Sequence, residues 1–215
     1  MEVDKKEILR YLGYKKTQNP EEIILSLIDS CIEELKNTVS MKSTYSIFDL
    51  SVKEYSVQIG DTFIIESKNL SKNLQECEKI VLFAATLGSQ PDLLMKRYTF
   101  TDMTRVAVLQ ATAAAIIEEY CDECQRKIEE EQEKNKLYLR PRFSPGYGDF
   151  DIKHQQQMIS ILDCPRKIGL TLTDSFILAP SKSVTAVIGL SRKKKDCHIK
   201  GCEVCNQLDC AFRRE

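Results

Sequence analysis

From Thr101-Asp102 to about Lys134 the chain has no glycine and no proline, and it sets five alanines between Ala107 and Ala115. That stretch predicts one long, Ala-rich helix whose small side chains let another element approach closely. Its last turns, "EEEQEKNK", are too charged to bury and are expected to project into solvent. What the chain can fold into depends on the segments before and after this helix.

Upstream, "DKKEILRYLG" offers Asp4 as an N-cap, Glu7 as its capping-box partner and Gly13 as a stop, which predicts a short first helix. Asn19-Pro20-Glu21-Glu22 reads as an N-cap, an N1 proline and an acidic first turn. Ile24, Leu27, Ile28, Cys31 and Leu35 then recur at helical spacing to about Asn37, with Cys31 as a core position. "YSIFDL", "EYSVQI" and "TFIIE" are short β-branched and aromatic runs, expected as antiparallel strands. "KIVLFAATLG" is apolar throughout and closed by glycine, the pattern of a central strand buried on both faces. Downstream, a helix is expected over about 152–162, and "LTLTDSFIL" and "SVTAVIGL" read as two strands joined by "APSK".

Without regular βαβ alternation, this order implies an α+β fold: a mostly antiparallel twisted sheet flanked by helices, in a single domain. We divide it into N-terminal helices over residues 1–40, a main domain over 41–191 and a basic cysteine-rich tail over 192–215. At 215 residues one sizeable core fits. The formal net charge of −1 gives no global signal for nucleic acid or membrane as the principal partner. No run reaches the ~20 apolar residues of a membrane span, and charged helix-forming sequence follows Met1, so a cytoplasmic protein is expected. In that reducing compartment nine cysteines, an odd number, suggest thiols and metal ligands over disulfides.

The segment "RPRFSPGYGDF" (140–150) concentrates two arginines, two prolines, two glycines and two phenylalanines with a tyrosine. Prolines fix the backbone, glycines permit close approach, and an arginine can grip a carboxylate with two parallel hydrogen bonds. Tyr147 could offer a ring face and a hydroxyl. A small-molecule clamp and a plain connecting loop both satisfy this composition.

Arg142-Phe143-Ser144-Pro145-Gly146-Tyr147, followed by a helix and by "GLTLTDSFILAPSKSVTA", resembles the activation domain of cobalamin-dependent methionine synthase. That domain carries an Arg-x-x-Pro-Gly-Tyr loop and, some thirty residues on, a Leu-Thr-Glu-Ser-Phe strand, for which this chain has Asp174 in place of the glutamate. "FAATLG" and "AAAIIEEYCDE" resemble short stand-alone versions of it. The resemblance implies binding of S-adenosylmethionine and support for the reductive methylation of inactive cob(II)alamin on a separate synthase. It also implies roles by position: Arg142 for the ligand's carboxylate, Ser144, Gly146 and Tyr147 in the loop shaping the pocket, and Glu118 for the amino group. It implies two partners: a corrinoid protein that carries the cobalamin, and an electron donor such as a flavodoxin or ferredoxin.

Those roles are physically coherent, since an amino-acid headgroup needs one cation and one anion. No general base is required, because the sulfonium is its own leaving group, and no catalytic dyad is expected. His154 has no nucleophile nearby in sequence and is expected on a helix surface. Two family features are missing. The Trp- and Phe-rich motif with its Asp has no counterpart in a chain without tryptophan, and "SRKKKDC" stands where a tyrosine pair should fall. Either other residues complete the pocket or a partner does.

In the tail, Cys197-x4-Cys202-x2-Cys205-x4-Cys210 sits among basic neighbours. Four thiolates so close suit zinc or an iron–sulfur cluster, and the spacing does not choose between them; free thiols on a basic tail are the plainer reading. The pair Cys121-x2-Cys124 falls inside the predicted helix, where packing accounts for it and a lowered thiolate pKa is not expected. Two other functions remain open: a reactivator of a different corrinoid methyltransferase, and a metal-binding module that contacts nucleic acid or protein through the tail.

Overall fold

A computed structural model describes residues 3–194 except Lys16 and Thr62. Asp4 accepts from the Lys6 amide to open α1 (Lys5–Tyr11), Glu7 pairs with Arg10, and Gly13 follows at φ +87°. Helix α2 (Glu22–Lys36) begins later than its proline suggests, with Glu21 as N-cap, and buries Ile28, Cys31, Ile32 and Leu35 on one stripe. Strands β1 (Lys42–Val52), β2 (Ser56–Ile59) and β3 (Phe63–Glu66) form the expected antiparallel meander. Ser67 then caps α3 (Lys68–Asn73) by accepting from the Leu70 amide.

Strand β4 (Lys79–Thr86) is buried over nearly its whole length, as its unbroken apolar run requires. Helix α4 (Gln90–Tyr98) has its proline in the first turn, where the missing N–H costs nothing. Helix α5 (Met103–Glu133) is the long helix, started by Asp102 accepting from Arg105. After β5 (Tyr138–Leu139) and the 140–150 loop come a 3-10 turn (Ile152–His154), α6 (Gln155–Leu162) and α7 (Cys164–Ile168). Strands β6 (Thr171–Leu172), β7 (Leu178–Ala179) and β8 (Ser183–Ser191) complete the described chain.

The main sheet runs β3-β2-β1-β4-β8-β5, and every neighbouring pair is antiparallel. Alternation along β4 divides the core in two. Val81, Phe83 and Ala85 face α1, α2, α4 and α5 on one side, while Ile80, Leu82 and Ala84 face α3, α6 and α7 on the other. The result is an α+β, three-layer arrangement with α5 lying along one face.

Two expectations are corrected. "LTLTDSFIL" is not one strand paired with β8: β6 and β7 pair with each other in a separate small sheet, and Phe176 at φ +60° turns the chain between them. The Thr173 hydroxyl accepts from the Ile177 amide and closes that turn. His154 is not a free helix-surface residue; its ring lies half-buried between Phe63 and Phe150, with centroids 6.0 and 5.7 Å away.

Candidate ligand-binding site

The 140–150 loop is an extension of the sheet edge. Beyond β5, the Arg140 amide donates to Gly189 O at 2.8 Å, and Phe143 and Val187 exchange two backbone hydrogen bonds of 2.9 Å. Pro141 and Arg142 lie between these pairing points, and Pro141 has no N–H to give the ladder. The Arg142 side chain turns instead to α5.

There it meets three residues on one helix face, since positions 118, 122 and 125 are successive neighbours at i, i+4 and i+7. Arg142 Nη2 lies 2.6 Å from Asp122 Oδ1 and 3.2 Å from Glu118 Oε2, and Nη1 donates to Gln125 Oε1 at 3.0 Å. Only 16% of the Arg142 side chain is exposed. Burial alone would lower its pKa, but Asp122 outweighs that with help from Glu118 and holds it above the usual value. The Cys121 thiol beside it is fully buried, and burial pushes its pKa up against the opposing pull of Arg142. Cys124 packs nearby with its thiol 3.4 Å from Ser43 Oγ. The Cys121/Cys124 pair is therefore helix packing, as the spacing suggested.

After Phe143 the loop folds on itself. Gly146, at φ +94°, donates to Phe150 O at 2.7 Å, and the Phe150 amide donates to Tyr147 O at 3.0 Å. Phe143 stacks on the buried Phe150 ring, and Tyr147 tilts against Phe143 at 6.5 Å while remaining 67% exposed. Ser144 is half-buried, its carbonyl accepting from the Tyr147 amide. Asp149 closes the loop against α3 by accepting from Ser67 Oγ and the Lys68 and Asn69 amides. The Ser67 hydroxyl does most to hold this carboxyl below its ordinary pKa, with the two amides adding to it.

The fold thus joins Arg142 to Glu118 across 24 positions of sequence and puts Gly146 and Tyr147 on the same loop. Sequence reasoning missed Asp122, Gln125 and Asp149. The first two could have been found by stepping one and two turns along α5 from Glu118. Gln155 was also missed; it is buried and bridges Phe176 O and the Thr185 hydroxyl, tying the β6–β7 hairpin to the sheet. Two surface hollows lie elsewhere, about 430 Å³ beside Asp49, Asp61 and Lys79 and about 360 Å³ between α6, α7 and β6, and neither is lined by Arg142 or Tyr147. Charge and loop conformation, not concavity, single out the loop. Cys197, Cys202, Cys205 and Cys210 lie outside the described residues. Among the described residues no helix is long and apolar enough to cross a membrane.

The sequence profile of the family described as "Vitamin B12 dependent methionine synthase, activation domain" matches residues 70–215. The chain belongs to that family. The match begins inside α3 and runs past β8, so it takes in both the Arg142 loop and the four tail cysteines. Among solved structures, the crystal structure of the MetH reactivation domain bound to AdoHcy resembles this fold with a TM-score of 0.68 at 14% identity. The superposition covers 90% of this chain and 75% of that one. A search of curated proteins gave no match.

Proposed function

We propose that the chain binds S-adenosylmethionine at the Arg142 loop and supports reactivation of a separate cobalamin-dependent methionine synthase. The observation that carries this reading is the Arg142–Glu118 contact at 3.2 Å beside the Pro-Gly-Tyr turn: one cation and one anion, both needed by an amino-acid headgroup, held at a loop of the family's pattern. Arg142 would take the carboxylate and Glu118 the ammonium, with Ser144, Gly146 and the exposed Tyr147 shaping the adjoining surface. Glu118 and Asp122 against Arg142 leave one surplus negative charge, which complements a ligand whose sulfonium makes it net positive.

The partner's cobalamin supplies the cobalt that accepts the methyl group, and an external donor such as a flavodoxin or ferredoxin supplies one electron. This chain's own part is to bind and orient the methyl donor, so positioning and exclusion of water are the rate contributions open to it. A fold likeness to an AdoHcy-bound reactivation domain supports the choice of ligand class. For the tail we propose a metal site on Cys197, Cys202, Cys205 and Cys210, either zinc or an iron–sulfur cluster. Anaerobically purified protein should carry metal, and zinc without iron would remove any electron-transfer role for the tail.

The deciding experiment is calorimetry with S-adenosylmethionine and S-adenosylhomocysteine on the wild type and on Arg142→Ala. Undetectable binding by the wild type, alone and with a candidate synthase, ends the proposal. Reactivation assays with several cob(II) corrinoid proteins then identify the client.

A further inference from the structure

We infer that Asp122 competes with the ligand's carboxylate for Arg142 and yields its place when the headgroup binds. This rests on the binding proposed above and adds a positioning residue that the loop motif does not contain. Three features of the geometry lead to it.

First, the terminal nitrogens of Arg142 face α5: Nη2 meets Asp122 at 2.6 Å and Glu118 at 3.2 Å, and Nη1 meets Gln125 at 3.0 Å. A bidentate carboxylate needs donors on that same fork. Second, two carboxylates share one guanidinium, and the closer of them, Asp122, has the more exposed side chain, 48% against 35% for Glu118. Asp122 can therefore leave toward water at small cost, while Glu118 and Gln125 keep the guanidinium plane oriented. Third, the exchange conserves charge. The incoming carboxylate replaces Asp122 on Arg142, the incoming ammonium pairs with Glu118, and the freed Asp122 turns to water, so no unpaired charge is left in a partly buried site.

A merely structural Asp122 would act alike on every ligand of the loop. The exchange acts only on a ligand that brings a carboxylate, and only through Arg142. The test uses the full chain as Asp122→Asn and Asp122→Ser, with S-adenosylhomocysteine and 5′-deoxy-5′-methylthioadenosine as probes; the second keeps the nucleoside and thioether but lacks the headgroup. Both variants should bind S-adenosylhomocysteine about tenfold more tightly than the wild type, the loss of one charged competitor. Affinity for methylthioadenosine should stay at the wild-type value, and the gain should vanish when Arg142→Ala is added. Weaker or unchanged S-adenosylhomocysteine binding by both variants overturns the inference, as does an equal shift for both probes. Those results leave the proposed function standing provided the wild type binds S-adenosylhomocysteine and Arg142→Ala binds it more weakly. Absence of wild-type binding overturns the proposed function instead.

Discussion

The two ends of the 140–150 loop are held by opposite kinds of electrostatics. At one end a cation, Arg142, has more acceptors than it needs, two carboxylates and a neutral amide oxygen on α5. At the other an anion, Asp149, is matched donor for donor by the Ser67 hydroxyl and two backbone amides. An over-supplied charge can exchange a partner with little loss, whereas a matched one cannot. The difference divides the loop into an end suited to ligand exchange and an end that fixes the backbone.

The largest expected effect sharpens that division. Arg142→Ala should weaken S-adenosylhomocysteine binding by about 1.5–3 kcal/mol, the scale of a hydrogen bond to a charged group. Its effect on thermal unfolding should stay under about 1 kcal/mol, because Glu118 and Asp122 are both part-exposed and can turn to water. Comparable losses in binding and in stability would show that the two ends do not divide the work. Two glycines of the loop hold positive φ. Gly148→Ala, at φ +57°, adds left-handed strain and displaces only the exposed end of the Asn69 side chain, for a stability loss of about 1–2 kcal/mol. Gly146→Ala, at φ +94°, adds strain alone, since the nearest atom to its Cβ is Ile152 Cδ1 at 3.9 Å, and should cost about 1–2 kcal/mol.

Much of the frame was legible in sequence because it rests on local signals. Asp102 followed by thirty residues free of glycine and proline predicts α5, and the unbroken apolar run predicts β4 as a central strand. α3 and α4 went unseen because six- and nine-residue helices carry too few turns for a periodic pattern, although Ser67 and Pro91 mark their starts. "LTLTDSFIL" alternates as a strand should, yet Phe176 adopts a positive φ that nothing in its residue type announces. At the site, the loop and Glu118 were readable and the residues that pair with the loop's charged side chains were not. Asp122 and Asp149 act through contacts that span 20 and about 80 residues, and such pairings exist only once the sheet edge has been placed against its helices.

Asp149→Ala is the smaller test of the fixed end, with an expected stability loss of about 1 kcal/mol, the worth of a helix-capping acceptor. Its pH dependence distinguishes a charged anchor from a neutral one. The Ser67 hydroxyl and the α3 amides hold the folded-state pKa of Asp149 below its unfolded value. A carboxyl depressed in this way contributes stability that is present in full above the unfolded pKa, near 3.9. That contribution is lost as the pH falls through the lower folded value. Thermal unfolding of wild type and Asp149→Ala should therefore differ by a constant amount above about pH 5 and converge as the pH is lowered below about 4. Arg142→Ala compared with wild type in the same series should show no such convergence attributable to Asp149. A gap between wild type and Asp149→Ala that persists to low pH would mean that side-chain shape, and not the carboxylate charge, fixes this end of the loop.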